Sequence, residues 1–233
     1  MGSGMEEKIR VMRGLVTYGA FARLSKTALV LLGLTVPAQA EGVDILALGD
    51  SLTQGYGLAE QEGFVPQMRA WLEARGHEVR LVNGGVSGDT TAGGLSRVAW
   101  SLSPEIDAMI VALGGNDLLR GIPPETSRAN LEGILQEAES RGLPVLLVGM
   151  TAPGNYGTEF KQSFDAIYPD LAQAHDTLLF EDFFEGLRVE GAMPADMSAV
   201  MQPDNIHPNA EGVAQIVEAM GPAVEALIAQ ARE

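Results

Sequence analysis

From residue 44 to residue 231 the chain alternates short, nearly continuous apolar runs with longer stretches in which apolar positions return every three or four residues. The short runs at 44–48, 78–83, 108–113, 144–150 and 177–181 read as strands covered on both faces. The longer stretches read as helices at 64–75, about 92–101, 127–141, 158–174 and 210–231. In the first of these Phe64, Met68, Trp71 and Leu72 share a face, and Gly76 follows where a left-handed cap is usual. Strands alternating with helices predict an α/β fold, a three-layer α/β/α sandwich around a five-stranded parallel sheet. With right-handed crossovers the simplest strand order is the flavodoxin-like 2-1-3-4-5. No repeat, low-complexity segment or linker interrupts residues 41–233, which predicts a single domain. The stretch 185–203, with Gly186, Gly191, Pro194 and three methionines, reads as its most mobile part.

Composition narrows the setting. With 233 residues, 46% apolar and 20% charged, the chain has the balance of a globular domain with a sizeable core. It contains no cysteine, which excludes disulfides, thiolate metal sites and cysteine nucleophiles. Residues 1–40 stand apart from the rest. Lys8, Arg10, Arg13, Arg23 and Lys26 precede the apolar run 28–36, and Pro37-Ala38-Gln39-Ala40 ends it in an A-x-A pattern before Glu41. A basic region, a short apolar region and small residues in that order predict a secretory signal peptide, the run being too short to span a bilayer. An amphipathic amino-terminal helix is the alternative. The opening Met1-Gly2-Ser3-Gly4 resembles an added leader, with Met5 or Met12 as candidate starts. The predicted mature chain, 41–233, would be exported, to the periplasm in a bacterium, with no stable membrane insertion.

Charge narrows the partners. Five of the 15 basic side chains but only two of the 31 acidic ones lie in residues 1–40, leaving 10 and 29 and a formal charge of −19. Such a surface repels nucleic acid and anionic membranes, so neither is an expected partner. The sequence leaves the oligomeric state open.

Residues capable of chemistry follow strands one, two and three and precede the last helix. Strand carboxyl ends share one edge of a parallel sheet, so these segments converge. Ser51, in Gly49-Asp50-Ser51-Leu52, is a candidate nucleophile, although a serine there also suits a cap or turn. A serine hydroxyl needs a base. His77 and His175 fall between a helix end and the next strand, on the opposite edge, and read as exposed helix-end residues. His207 alone can reach the Ser51 edge. Asp204, three residues earlier, can orient its imidazole and stabilise the imidazolium formed during attack. The alternative makes Asp204 or Asn209 a helix cap and His207 a surface residue. Acyl transfer also needs donors for the developing oxyanion, and the N–H groups of Ser51 and Gly88 with the Asn116 amide could supply three. Taken singly, Gly88 could be only a turn glycine and Asn116 only a cap.

Gly49-Asp50-Ser51-Leu52, Gly88 within Ser87-Gly88-Asp89-Thr90, Gly114-Gly115-Asn116-Asp117, and Asp204-Asn205-Ile206-His207-Pro208 match, in order, the blocks of the GDSL or SGNH hydrolases. The resemblance covers 44–231 and is nearest to bacterial periplasmic arylesterases and multifunctional acyl-CoA thioesterase/lysophospholipases. Leu118-Leu119-Arg120-Gly121, Asn155-Tyr156-Gly157 and Ala166-Ile167-Tyr168-Pro169 resemble that branch as well. It implies Ser51 as nucleophile, Asp204 and His207 as its triad partners, and Ser51, Gly88 and Asn116 as oxyanion donors. It also implies a flexible serine loop and a shallow groove shaped by 154–157. Asp50, Leu52, Asn155 and Tyr156 are the candidate substrate-binding residues there. Met150 and Phe160, beside Tyr156, could line an acyl groove or simply pack in the core.

The resulting expectation is a serine esterase acting through an acyl-enzyme on short- to medium-chain acyl esters, extending to thioesters and lysophospholipids. It calls for no metal or organic cofactor. Two alternatives are a carbohydrate O-acetyl esterase with the same catalytic residues and a periplasmic binding protein without turnover.

Overall fold

The computed structural model of the chain describes residues 42–233; the expected signal segment lies outside the described residues. Five parallel strands, β1 (Val43–Gly49), β2 (Val79–Gly85), β3 (Ala108–Ala112), β4 (Val145–Val148) and β5 (Leu178–Phe180), form one sheet in the order β2-β1-β3-β4-β5. This is the predicted topology. Its direct cause is burial: β3 and β4 are buried throughout and β1 nearly so, whereas the edge strands β2 and β5 are mostly half-buried. A strand covered on both faces gains from every side chain, so alternation is lost and a continuous apolar run results.

Helices cover both faces. After the short α1 (Ser51–Gln54), α2 (Phe64–Glu73) packs against the last helix, α8 (Ala210–Ala231). The crossover from β2 to β3 runs the other way across the sheet, so right-handedness puts α3 (Thr91–Ser101) on the opposite face. There α3 packs on α5 (Pro124–Glu139), and α5 packs on α6 (Thr158–Asp165) and α7 (Ile167–Ala174). The apolar stripe of α8, from Val213 through Val217, Met220 and Val224 to Ile228, is buried.

The elements depart from the sequence reading in three places. The expected helix 158–174 is two helices meeting at Ala166. Pro169 has no N–H to give to the carbonyl of Asp165, four residues back, so the ladder breaks there. The helix expected at 127–141 starts at Pro124, where a proline suits the first turn, and ends at Glu139. α1 and a further helix, α4 (Gly115–Arg120), were not expected at all. At four and six residues they are too short to show a helical period.

Candidate active site

The register sets Gly49 of β1 opposite Gly85 of β2 and Ala112 of β3, so the three strands end at one level. Immediately beyond lie Asp50 and Ser51, the turn carrying Gly88, and Gly114 to Asn116. Asp50 is the cap of α1: its carboxylate accepts the Leu52 N–H at 3.0 Å, which starts the helix on Ser51. The turn after β2 is closed by the Asp89 N–H donating to the Val86 carbonyl at 3.0 Å, with Gly88 in its third position at φ +82°. That left-handed φ is costly for a residue with a Cβ, hence glycine. The Ser51 and Gly88 N–H groups donate to no protein acceptor among the described residues.

Asp204 and His207 come from the other side on one loop. His207 Nε2 lies 2.9 Å from Ser51 Oγ, and His207 Nδ1 lies 2.7 Å from Asp204 Oδ2. The other Asp204 oxygen accepts the backbone N–H groups of Ile206 and His207, each at 3.0 Å. Asn205 between them sits at φ +55°, and Gln202 closes the loop by donating its N–H to the His207 carbonyl at 2.8 Å. The hydrogen bond to His207, then the two backbone N–H groups, hold the Asp204 carboxyl at about 2. It therefore stays charged throughout the neutral range. The Tyr56 ring covers His207 at 4.6 Å between centroids. Asn209, not Asp204, caps the final helix, accepting the Gly212 N–H.

Asn116 is the second residue of α4, not its cap, and donates from Nδ2 to Asp50 Oδ2 at 3.1 Å. This changes the reading of Asp50. Expected to bind substrate, it is 1% exposed, and each of its oxygens already accepts a bond. Burial raises its carboxyl to about 6, against the opposing pull of those bonds. Asp50 acts on Asn116, which in turn faces the cleft.

Ser51 opens into a cleft of about 540 Å³ lined by Leu52, Leu118, Leu119, Met150, Asn155 and Tyr156 among others. Asp50, Leu52, Asn155 and Tyr156 all lie along this cleft, Asp50 at its buried floor. Phe160 is not part of the lining. It stacks under Tyr156 at 4.9 Å, and Phe164 and Tyr168 continue the column at four-residue spacing into the core. The two remaining histidines lie away from the cleft. They are half-buried rather than exposed, His77 at 2.8 Å from Glu225 and His175 at 3.4 Å from Glu139. Among the described residues no group of three or more His, Asp or Glu side chains is placed to hold a metal ion.

Sequence reasoning missed the residues that brace this site. Arg120, at the end of α4, donates to the Gly88 carbonyl at 2.7 Å. Arg97 spans Asp89 and the Gly49 carbonyl. Buried Asp117 accepts from Thr91 N, Thr91 Oγ1 and Ser127 Oγ, fixing α4 to α3 and α5. Asp117, Asp89 and Arg120 stood in quoted blocks without a role attached, and Arg97 stood in none. The arginines reach across the fold, and no local spacing announces them.

A three-layer parallel fold with a Ser–His–Asp hydrogen-bonded chain at the strand carboxyl ends has the layout of a serine hydrolase. Known proteins agree. Residues 47–215 match the model of the GDSL-like Lipase/Acylhydrolase family. Esterase TesA of Pseudomonas aeruginosa is 35% identical over 93% of this chain and all of its own length. Thioesterase 1/protease 1/lysophospholipase L1 of Escherichia coli K12 is 32% identical over 79% of this chain and 84% of its own. The crystal structure of AlinE4, an SGNH-hydrolase family esterase, superposes with a TM-score of 0.65 at 44% identity, over 80% of this chain and 96% of that one. The chain belongs to the GDSL-like lipase/acylhydrolase family and is an ester hydrolase.

Proposed function

We propose that Ser51 is the nucleophile of an esterase for short- to medium-chain acyl esters, with thioesters and lysophospholipids as further substrates. The observation that carries this is the continuous hydrogen-bonded chain from Ser51 through His207 to Asp204, opening into an apolar cleft. Ser51 Oγ attacks the acyl carbon while His207 Nε2 takes its proton, and Asp204 steadies the imidazolium. The carbonyl oxygen becomes negative within reach of the Ser51 and Gly88 N–H groups and the Asn116 amide. Collapse returns the His207 proton to the departing alcohol or thiol and leaves an acyl-Ser51 ester. Water, deprotonated by His207, then attacks that ester, and the proton passes back to Ser51 as the acid leaves.

The cleft wall of leucine, methionine and tyrosine side chains suits an acyl chain. The relatives named above are an esterase and a thioesterase/lysophospholipase, and the saccharide O-acetyl esterase reading is set aside. A protein that only bound its ligand would have no need of the serine-to-histidine contact. The chain's amino-terminal pattern supports export with removal of residues 1–40. If so, amino-terminal sequencing of protein recovered from the periplasm of an expressing bacterium reads from Glu41; a start upstream of the apolar run would reject this.

The decisive assay is hydrolysis of p-nitrophenyl butyrate by the wild type and by Ser51→Ala, alongside labelling with a fluorophosphonate. Ser51→Ala should fall to background and take no label while keeping its fold by circular dichroism. Residual turnover near wild type would remove Ser51 from the nucleophile's role.

A further inference from the structure

The Gly88 donor sits in a loop with no regular structure, so something must hold its N–H in aim. Two contacts at the start of that loop come from the sheet side: the Val86 N–H donates to the Gly49 carbonyl at 3.0 Å, and Ser87 Oγ to Gln54 Oε1 at 3.0 Å. Arg120 donates to the Gly88 carbonyl at 2.7 Å, and the residue that follows is held by Arg97. Its Nε donates to Asp89 Oδ2 at 2.7 Å and its Nη2 to the Gly49 carbonyl at 2.9 Å. One planar guanidinium thus bridges the residue after Gly88 and the peptide that leads into Asp50 and Ser51. Gly49 is the last residue of β1, so its carbonyl is a fixed reference for the nucleophile. Both ends of the bridge are shielded, the side chains of Arg97 and Asp89 being 13% and 16% exposed.

The surrounding sequence makes room for the bridge. A Cβ on Gly93, in the first turn of α3, would stand 2.0 Å from Asp89 Oδ1. The helix therefore carries a glycine, at the expense of its own stability, where the carboxylate must cross it. Thr90 caps the same turn by accepting the Gly93 N–H at 3.3 Å. A helical arginine, an acidic loop residue and a helical glycine are three separate choices serving one geometry.

We propose that Arg97 is a positioning residue that fixes the Gly88 donor relative to Ser51, with Asp89 as its counterpart. The inference rests on the oxyanion role assigned above to Gly88. Arg97 reaches the reacting atoms only through the loop and the Gly49 peptide. Its loss should weaken stabilisation of the transition state more than it weakens substrate binding. A lysine keeps the charge but lacks the planar fork, so it can satisfy Asp89 or the Gly49 carbonyl, not both.

The test uses the full chain with p-nitrophenyl butyrate, kcat being expressed per active site titrated to completion with a fluorophosphonate. Arg97→Met should lower kcat about tenfold to a hundredfold, less than or comparable to the loss of an oxyanion donor, with KM within about twofold. Arg97→Lys should recover part of that loss. Counting titrated sites removes molecules that are merely unfolded, so a structural defect alone would not move the corrected kcat. A kcat within twofold of wild type in Arg97→Met, or a rise in KM with kcat unchanged, overturns the proposal. Should Arg97→Met fail to fold, Arg97→Lys and Asp89→Asn decide: a fall in kcat at constant KM supports it, and wild-type kcat in both overturns it. If Ser51→Ala also retained activity, the esterase reading itself would fail, a result distinct from an unaffected Arg97 variant beside a dead Ser51→Ala.

Discussion

Asp50 shows what a single residue can cost and return. Its carboxyl is almost fully buried and raised to about 6, from an ordinary value of 3.8, chiefly by loss of water. In the unfolded chain it ionises near 3.8, so below that pH neither state pays for its charge. As pH rises towards 6 the unfolded state ionises first and the fold loses stability, a loss complete above 6 and of about 3 kcal/mol. The melting temperature of Asp50→Asn relative to wild type should therefore be several degrees more favourable at pH 8 than at pH 4. The same substitution should lower kcat. The single acceptor oxygen of an asparagine is needed by the Leu52 N–H, and its amide would meet the Asn116 amide donor to donor. Thermal melts at the two pH values and a rate measurement at pH 8 check this together; an equal shift in melting temperature at both would dismiss the burial argument. The outcome would place Asp50 among residues kept for activity against stability.

The elements divide into those the sequence announced and those it concealed. All five strands and their order were legible, since β1, β3 and β4 lie between two helical layers and need unbroken apolar runs. The hydrogen-bonded chain of Ser51, His207 and Asp204 was legible too, because Asp204 and His207 share one loop and Ser51 follows a strand end. The two shortest helices, α1 and α4, were hidden although both carry site residues. Four to six residues give no periodicity, and what defines them is a cap at Asp50 and the burial of Asp117. The break at Ala166 was written in Pro169 but masked by the aromatic spacing of Phe160, Phe164 and Tyr168, which continues across it. The burial of Asp50, which lines the cleft floor, was not legible because its place in a sequence block says nothing of depth. The bracing roles of Arg97 and Arg120 stayed hidden because each reaches a backbone carbonyl distant in sequence, which has no sequence signature.

At the scale of the whole molecule, Ser51 and His207, proposed above as nucleophile and base, belong to parts of very unequal rigidity. Ser51 opens α1 directly after β1, an interior strand of the sheet whose apolar residues are buried in the core. His207 and Asp204 ride on a short irregular loop whose hydrogen bonds run mostly within itself; those that reach the body of the domain are His207 Nε2 with Ser51 Oγ at 2.9 Å and the Gln202 side chain to the Tyr56 carbonyl at 2.8 Å. Segments with so few ties open at lower free energy than the domain as a whole. Heat should therefore silence this protein before it melts it. Activity should fade, and return on cooling, over a range of temperature in which circular dichroism still reports a native sheet. Gln202→Ala should lower the fading temperature by several degrees and leave the melting temperature almost unmoved; coincident fading and melting in the wild type would mean that the loop and core open as one. Its working ceiling would then be set by nine residues of loop, and a warmer-living variant could be reached by stiffening that loop alone.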